Sequence, residues 1–210
     1  MKLYEFLEKS IVNKCGERIV EYTFVYQSIC SLLTLSYSCR RNIKILDIGC
    51  CESNLAKTLA ELGFDVIGID INYCDICPAR LLQANILETE FEPNSFDIIL
   101  AISTVEHIGL SCYGQKVQDN NGDIITMQKI YRWLKPNGIA IITVPYGKPH
   151  HPPWFERVYN KDTLFEHIVQ NFEIVRLEVW CRPDLESDNW YPCSLDCVDK
   201  DCVALLLLRK

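Results

Sequence analysis

The stretch IKILDIGCCES, residues 43–53, decides the fold of this chain. A continuous apolar run that ends at Asp47 and Gly49 is typical of a buried strand followed by a turn, and Ser53 can cap the next helix. Similar apolar runs recur downstream, with helical or turn segments between them, at 65–70, 80–86, 96–102, 139–144, 172–180 and 202–208. This alternation predicts an α/β protein with a mostly parallel, doubly wound sheet.

The domain organisation follows from length and composition. The chain has 210 residues, of which 49% are hydrophobic and 23% charged, an ordinary globular balance. Separate cores become usual only beyond roughly 250 residues, so we expect one domain over 1–210. Apolar residues at helical spacing between Tyr4 and Leu33 predict an N-terminal helical cap at 1–41, and the α/β core should then occupy 42–210.

Charge and hydropathy exclude several classes of partner. The formal net charge of −7 and the pI near 5.1 disfavour nucleic acid as a partner, because its phosphates need a basic surface. The apolar stretches are far shorter than the ~20 residues of a membrane-spanning helix. The start, MKLYEFLEKS, lacks the apolar core of a signal peptide. These features predict a soluble cytoplasmic protein without a membrane span.

Acidic residues end the first two predicted strands, where doubly wound sheets bind ligands. Asp70 ends the second strand, 23 residues after Asp47 (70 − 47), and an acid at about this distance grips the ribose of a bound nucleoside. The turn after Asp47 has one glycine where a dinucleotide-binding turn needs three, so dinucleotide binding is disfavoured. Fourteen residues separate Asp70 from Asn85, too few for a helix and a strand, which predicts a turn over 72–78.

The segment ILDIGCCES resembles the first motif of the class I S-adenosylmethionine-dependent methyltransferases. It matches that motif at Asp47, Gly49, Cys50 and Ser53, and it has Cys51 where the family usually has its second glycine. Four later segments resemble family motifs in the same order: VIGIDI, QANIL, FDIILAISTVEHIG and IYRWLKPNGIAIITVP. The insert EHIGLSCYGQKVQDNNGD is similar to that of a subgroup whose acceptors are mostly uncharacterised.

The resemblance implies a Rossmann-like, seven-stranded, mostly parallel sheet with an N-terminal helical extension. It also implies methyl transfer from S-adenosylmethionine to a small-molecule or saccharide-like (glycan) acceptor. The cofactor-binding residues that it implies are Asp47, Gly49, Cys50, Cys51, Asp70, Ile71, Asn85, Ile86 and Ser103.

A hydroxyl acceptor needs a base, and four residues near predicted strand ends are candidates. Glu106 and His107 follow the strand at 96–102, and His150 and His151 follow the strand at 139–144, with Glu106, His107 and His151 taken as the catalytic residues. Alternatively, Glu106 and His107 begin a helix and only shape the pocket wall. Some relatives hold a metal with E-x-x-E-H and a later histidine, but Ser103 occupies the position of the first glutamate, so we expect catalysis without a metal.

The twelve cysteines leave other functions open. The pair Cys74 and Cys77 could share a zinc ion with Cys193, Cys197 and Cys202. Only the first pair is a C-x-x-C motif, so we expect mainly loop and strand thiols, with one or two disulfides possible. The alternatives to an enzyme are a catalytically silent S-adenosylmethionine-binding protein and a cysteine-based metal or redox protein. Five aromatic residues are expected either to line an acceptor pocket or to close a small core: Trp154, Phe155, Tyr159, Trp190 and Tyr191.

Overall fold

The computed structural model describes residues 16–32, 42–115, 118–184, 187 and 189–210. Its helices include α1 (Arg18–Leu32), α2 (Leu55–Glu61) and α3 (Gly122–Trp133). A short helix at Lys161–Thr163 continues as a π-helical segment over Leu164–Val169. Single 3-10 turns lie at Cys50–Glu52 and Val105–His107. The strands are β1 (Lys44–Ile48), β2 (Asp65–Asp70), β3 (Arg80–Gln83), β4 (Phe96–Ile102), β5 (Leu134–Gly147), β6 (Glu173–Arg182), β7 (Tyr191–Cys193) and β8 (Asp201–Arg209).

Within the described residues these strands form one sheet of eight, in the order β3-β2-β1-β4-β5-β8-β6-β7. Strands β1 to β5 pair in parallel, whereas β8 is antiparallel to both β5 and β6. The Rossmann-like, mostly parallel fold is therefore confirmed. The eighth strand, absent from the prediction of seven, is the three-residue β7, which pairs with the edge of β6 and is too short to show a periodic pattern.

Helices cover both faces of the sheet and make three layers. Helices α1 and α2 pack on one face, and α3 and the segment Leu164–Val169 pack on the other. Neighbouring residues on a strand point to opposite faces of the sheet. Because helices cover both faces, the strand residues on each face are apolar. Consecutive residues accordingly belong to different cores, with Ile45, Leu100 and Ile141 on the α1 face and Leu46, Ile99 and Ala140 on the α3 face.

The loop between β2 and β3 contains no helix. It carries a cis peptide bond at Cys77–Pro78, and β3 begins only two residues later, at Arg80. The turn predicted over 72–78 is confirmed. The strand predicted for 80–86 ends at Gln83, because Asn85 turns the chain by accepting a hydrogen bond from the Leu87 N–H at 2.9 Å.

The first turn of α3 contains a buried acidic residue, Asp123. Asn121 occupies the N-cap position, and Asp123 lies in the first turn, where it is fully buried. Its carboxylate accepts a hydrogen bond from the Tyr159 hydroxyl at 2.9 Å and lies 2.9 Å from Nδ1 of His167. Asp123 therefore joins α3 to the later helical segment.

The predicted N-terminal helical cap is confirmed over Arg18–Leu32, which is α1. The rest of that prediction, residues 1–15 and 33–41, lies outside the described residues. No helix in the described part of the chain is long and apolar enough to cross a membrane.

Candidate active site

The turn after β1 brings backbone to the carboxyl edge of the sheet. Gly49 adopts a left-handed conformation with φ 76°, and its N–H donates to the Ile69 carbonyl at 2.9 Å. A Cβ at this position would lie 2.3 Å from Oγ1 of Thr104. Both the conformation and the close approach require glycine here, so the turn can run close to a ligand.

Asp70, at the end of β2, holds this turn against the loop that follows. Its Oδ2 accepts the N–H of Cys51 at 3.0 Å and its Oδ1 accepts the N–H of Asn72 at 2.8 Å. Each oxygen accepts one of these hydrogen bonds, and a carboxylate oxygen has a second lone pair. Asp70 also lines the cavity above the turn, where those lone pairs can accept hydroxyl donors.

A cavity lies at the ends of β1, β2 and β4 and opens to solvent. Isoleucines form part of its wall and offer apolar surface on which a flat ring, such as a nucleoside base, can pack. The backbone of the β1 turn and Asp70 supply polar groups. The predicted cofactor residues that line it are Gly49, Cys51, Asp70, Ile71, Asn85, Ile86 and Ser103.

Two predicted cofactor residues lie beneath the turn and are absent from that wall. Cys50 is fully buried with its Sγ packed toward Gly68, so only its backbone is near the ligand side. Asp47 is buried too, and desolvation raises its pKa to about 7, against the hydrogen bond from the Ala56 backbone that favours its charged form. Their side chains thus support the turn from below, and their assignment to the cofactor site stays a prediction.

A second cavity adjoins the first. The two share part of their walls, namely Arg18, Glu52, Ser103, His107 and Tyr113. The predicted catalytic residues Glu106, His107 and His151 all line the second cavity, and His107 lines both. A ligand in the first cavity can therefore meet a second molecule beside His107.

The tautomer of His107 follows from its hydrogen bond. Nδ1 lies 2.7 Å from the Phe155 carbonyl oxygen, which only accepts, so Nδ1 carries the proton. In the neutral ring Nε2 then holds a free lone pair. Burial lowers the pKa of His107 below its ordinary value of 6.5, which keeps the ring neutral near pH 7. His107 is thus prepared to accept a proton at Nε2.

Glu106 is a buried carboxyl group next to that histidine. Its Oε1 lies 3.8 Å from Nε2 of His107, and its Oε2 has no hydrogen-bond partner among the described residues. Desolvation raises the pKa of Glu106 well above its ordinary value. The raised pKa favours the neutral form of this carboxyl group beside His107.

Helix α1 contributes residues at the place where the two cavities meet, a role that was not predicted from the sequence. Glu21 is fully buried, and its carboxylate accepts hydrogen bonds from Arg18 at 2.8 Å, from the Ser103 hydroxyl at 2.6 Å and from the Thr143 hydroxyl. Ser103 itself has φ 43°, a strained conformation for a residue with a side chain. The feature of the sequence that could have indicated this role is Glu21, an acidic residue within the apolar pattern of α1.

His151 belongs to a cluster with His150 and Glu156 on the far wall of the second cavity. Possible ligand atoms of the three residues lie within 4.8 Å of one another, and Oε1 of buried Glu156 has no hydrogen-bond partner in the described structure. Nδ1 of His150 also lies 3.2 Å from the Asp201 carboxylate. The nitrogen and oxygen atoms of this cluster can bind either a cation or the hydroxyl groups of an acceptor.

The five aromatic residues of the sequence analysis divide between the two expected roles. Phe155 and Trp190 line the second cavity, whereas Tyr159 is buried in the core and Trp154 is 59% exposed. Tyr191 lies in β7 and packs against the core on the α3 face. The cavity therefore carries aromatic surface beside its charged groups.

Two disulfides are present, Cys51–Cys74 beside the first cavity and Cys181–Cys202 between β6 and β8. The bridges that the sequence left possible are thus formed. Five other described cysteines are free thiols: Cys50, Cys77, Cys112, Cys193 and Cys197.

Comparison with known proteins identifies the family. Residues 23–182 match the family model described as a methyltransferase domain. A ubiquinone biosynthesis O-methyltransferase from Rickettsia typhi is 28% identical over 158 residues, covering 68% of this chain and 58% of that protein. The chain thus spans less than two thirds of the length of this curated relative.

Solved structures share the fold. An S-adenosylmethionine-dependent methyltransferase from Archaeoglobus fulgidus superposes with a TM-score of 0.62 at 16% identity, over 100% of both chains. Phosphoethanolamine N-methyltransferase 2 from Haemonchus contortus, in complex with S-adenosyl-L-methionine, gives 0.55 at 18% identity, over 80% of this chain and 48% of that one. The chain belongs to the S-adenosylmethionine-dependent class I methyltransferases.

Proposed function

We propose that this protein transfers the methyl group of S-adenosylmethionine to a hydroxyl group of a small, saccharide-like acceptor. The observation that carries the proposal is the neutral His107, which carries its proton at Nδ1 and lines both cavities. The cofactor, when bound, supplies an electrophilic methyl group on a positively charged sulfur. The acceptor oxygen forms a bond to that methyl carbon as the carbon–sulfur bond breaks, and the hydroxyl proton passes to His107.

On the donor side, the chain's own groups fit an adenosine-type ligand. Asp70 offers carboxylate lone pairs for ribose hydroxyls, and Ile71 and Ile86 offer apolar surface for the base. Asn85 lines the same cavity and is proposed to lie beside the base. Holding the donor and the acceptor about 3 to 3.5 Å apart and in line accounts for much of the rate of such a displacement.

On the acceptor side, the second cavity favours a molecule rich in hydroxyl groups. Its carboxylates at Glu106, Glu156 and Asp201 accept hydroxyl donors, and the rings of Phe155 and Trp190 offer apolar faces. Glu106 is proposed to lie beside the protonated ring, since its Oε1 is 3.8 Å from Nε2 of His107. His151 is proposed to orient the acceptor rather than to receive the proton, because it lines only the second cavity.

The test uses labelled S-adenosylmethionine and two acceptor pools, one of oligosaccharides and one of catechol-type phenols like the substrates of O-methyltransferases. We expect label in the saccharide pool that survives mild base, as a methyl ether does and a methyl ester does not. Label in phenols alone would refute the acceptor class. Cofactor binding with no S-adenosylhomocysteine from either pool or from cell extract would identify a silent binder instead.

A further inference from the structure

The described part of the chain gathers four cysteines on β6, β7, β8 and the loop between β7 and β8, and one of them, Cys202, also lines the second cavity. Cys181 lies on β6, Cys193 on β7, Cys202 on β8, and Cys197 in the loop between β7 and β8. We propose that in the reduced protein these four sulfurs bind one structural Zn²⁺ ion.

Strand register places three of these cysteines on one face. Cys181 is directly opposite Cys202 in the β6–β8 pairing and directly opposite Tyr191 in the β6–β7 pairing. Directly opposite residues share a face, and so do residues two apart on one strand. Cys193, two residues after Tyr191, therefore lies on the same face as Cys181 and Cys202.

The loop brings the fourth sulfur to that face. The Sγ of Cys197 is 3.7 Å from the Sγ of Cys181, and the sulfurs of Cys181, Cys193 and Cys197 all lie within 4.8 Å of one another. In a tetrahedral zinc site with Zn–S bonds of about 2.3 Å, neighbouring sulfurs are separated by about 3.8 Å. Three of the four sulfurs are thus already spaced as in such a site, and the fourth, that of Cys202, is bonded to Cys181.

The surroundings suit a closed site. Cys181 and Cys202 are 0% and 3% exposed, and Cys193 and Cys197 pack against the same core. Burial, and then the charge of Cys193, raise the pKa of the Cys197 thiol, whereas the nearby Lys200 ammonium lowers it. A dication would remove the repulsion between neighbouring thiolates. In the other cysteine cluster, at Cys50, Cys51 and Cys74, the disulfide joins two of the three sulfurs, whereas here it joins Cys181 to a fourth cysteine, Cys202.

The Cys181–Cys202 disulfide and the zinc site are alternative states of the same sulfurs. A dithiol reductant cleaves the disulfide, giving two protein thiols and the oxidised reductant. Zn²⁺ then displaces the four thiol protons, and four Zn–S bonds form. The ion would tie β7 and the 194–200 loop to β6 and β8, next to Trp190 and Asp201 in the acceptor cavity.

The experiment measures zinc by elemental analysis after purification with a dithiol and zinc, followed by desalting. We expect about one zinc per chain, as in a four-cysteine site. Cys193→Ser and Cys197→Ser should each lose it, whereas the control Cys30→Ser, exposed on α1, should keep it. Because a zinc ligand variant can fail to fold, cobalt is also titrated into the unaltered protein, where thiolate-to-cobalt absorption is expected.

Two outcomes would overturn the proposal. The first is reduced protein that takes up neither zinc nor cobalt, with peptide mapping showing only the Cys181–Cys202 disulfide after reoxidation. The second is zinc that stays bound in Cys193→Ser and in Cys197→Ser and is lost in Cys51→Ser, which would place the ion beside the first cavity. None of these readouts depends on methyl transfer.

Discussion

At the scale of single residues, Asp70 links the β1 turn to the cofactor cavity through its two carboxylate oxygens. Replacing it with alanine removes hydrogen bonds to a charged acceptor. We expect S-adenosylmethionine to bind about 1.5 to 3 kcal/mol more weakly in Asp70→Ala, roughly a 10- to 100-fold rise in Kd by calorimetry.

The matched control is Asp75→Ala in the same loop, where Asp75 is exposed and caps the Cys77 N–H at 3.0 Å. Its Kd should match that of the unaltered protein. If Asp70→Ala behaves like this control, Asp70 does not hold the cofactor.

His107 gives a prediction about pH. Because burial lowers its pKa below 6.5, the base form should be complete at neutral pH, and kcat/KM should fall only when the pH drops through this lowered value. In His107→Asn the amide N–H can still donate to the Phe155 carbonyl, but no base remains. We expect turnover to fall by about 10²- to 10⁴-fold and the acidic limb of the profile to disappear.

The control is His167→Gln, since His167 contacts Asp123 and lines neither cavity. It should keep the acidic limb. An unchanged profile in His107→Asn would transfer the role of base to another residue, with Glu106 as the first to test.

At the scale of elements, α1 is fixed to the sheet by buried Glu21, which binds Arg18 on its own helix and hydroxyls at the ends of β4 and β5. Removing the carboxylate leaves the Arg18 charge and two hydroxyl groups without this partner. We expect Glu21→Ala to lower the stability by about 3 to 5 kcal/mol, the usual effect of breaking a buried ion pair.

In a chain of this length that loss corresponds to a fall in Tm of about 6 to 20 °C. The control Glu61→Ala, on the exposed end of α2, should melt within about 2 °C of the unaltered protein, as surface substitutions do. Equal melting of both variants would mean that Glu21 does not fasten α1.

At the scale of the whole molecule, we expect methyl transfer to need no activating metal. Ser103 binds Glu21 and supplies no carboxylate ligand near His107. Activity on the identified acceptor should therefore stay within about twofold when Mg²⁺ and Mn²⁺ are removed with a mild chelator, because positioning and proton transfer carry the reaction.

Zinc content and Tm are followed in the same samples, so that loss of the proposed structural zinc is distinguished from loss of an activating ion. Activity that falls at constant zinc and Tm and returns with a divalent ion would contradict this expectation. His150, His151 and Glu156 would then be the first ligands to test.

The sequence by itself determined seven of the eight described strands, the β1 turn and the acid at the end of β2. These features are local, because apolar runs identify buried strands and a tight turn needs glycine at Gly49. Most of the predicted cofactor residues line one cavity for the same reason, since the carboxyl ends of parallel strands meet at one edge.

Only the tertiary structure decided which distant residues meet. Glu21 reaches Ser103 across 82 positions of sequence, and Cys181 joins Cys193 and Cys197 only through the order β8-β6-β7. Likewise, Asp47 and Cys50 sit in the motif but face the core, because side chains in and near strands point to alternating sides. Such contacts depend on register and strand order, which no local pattern of residues encodes.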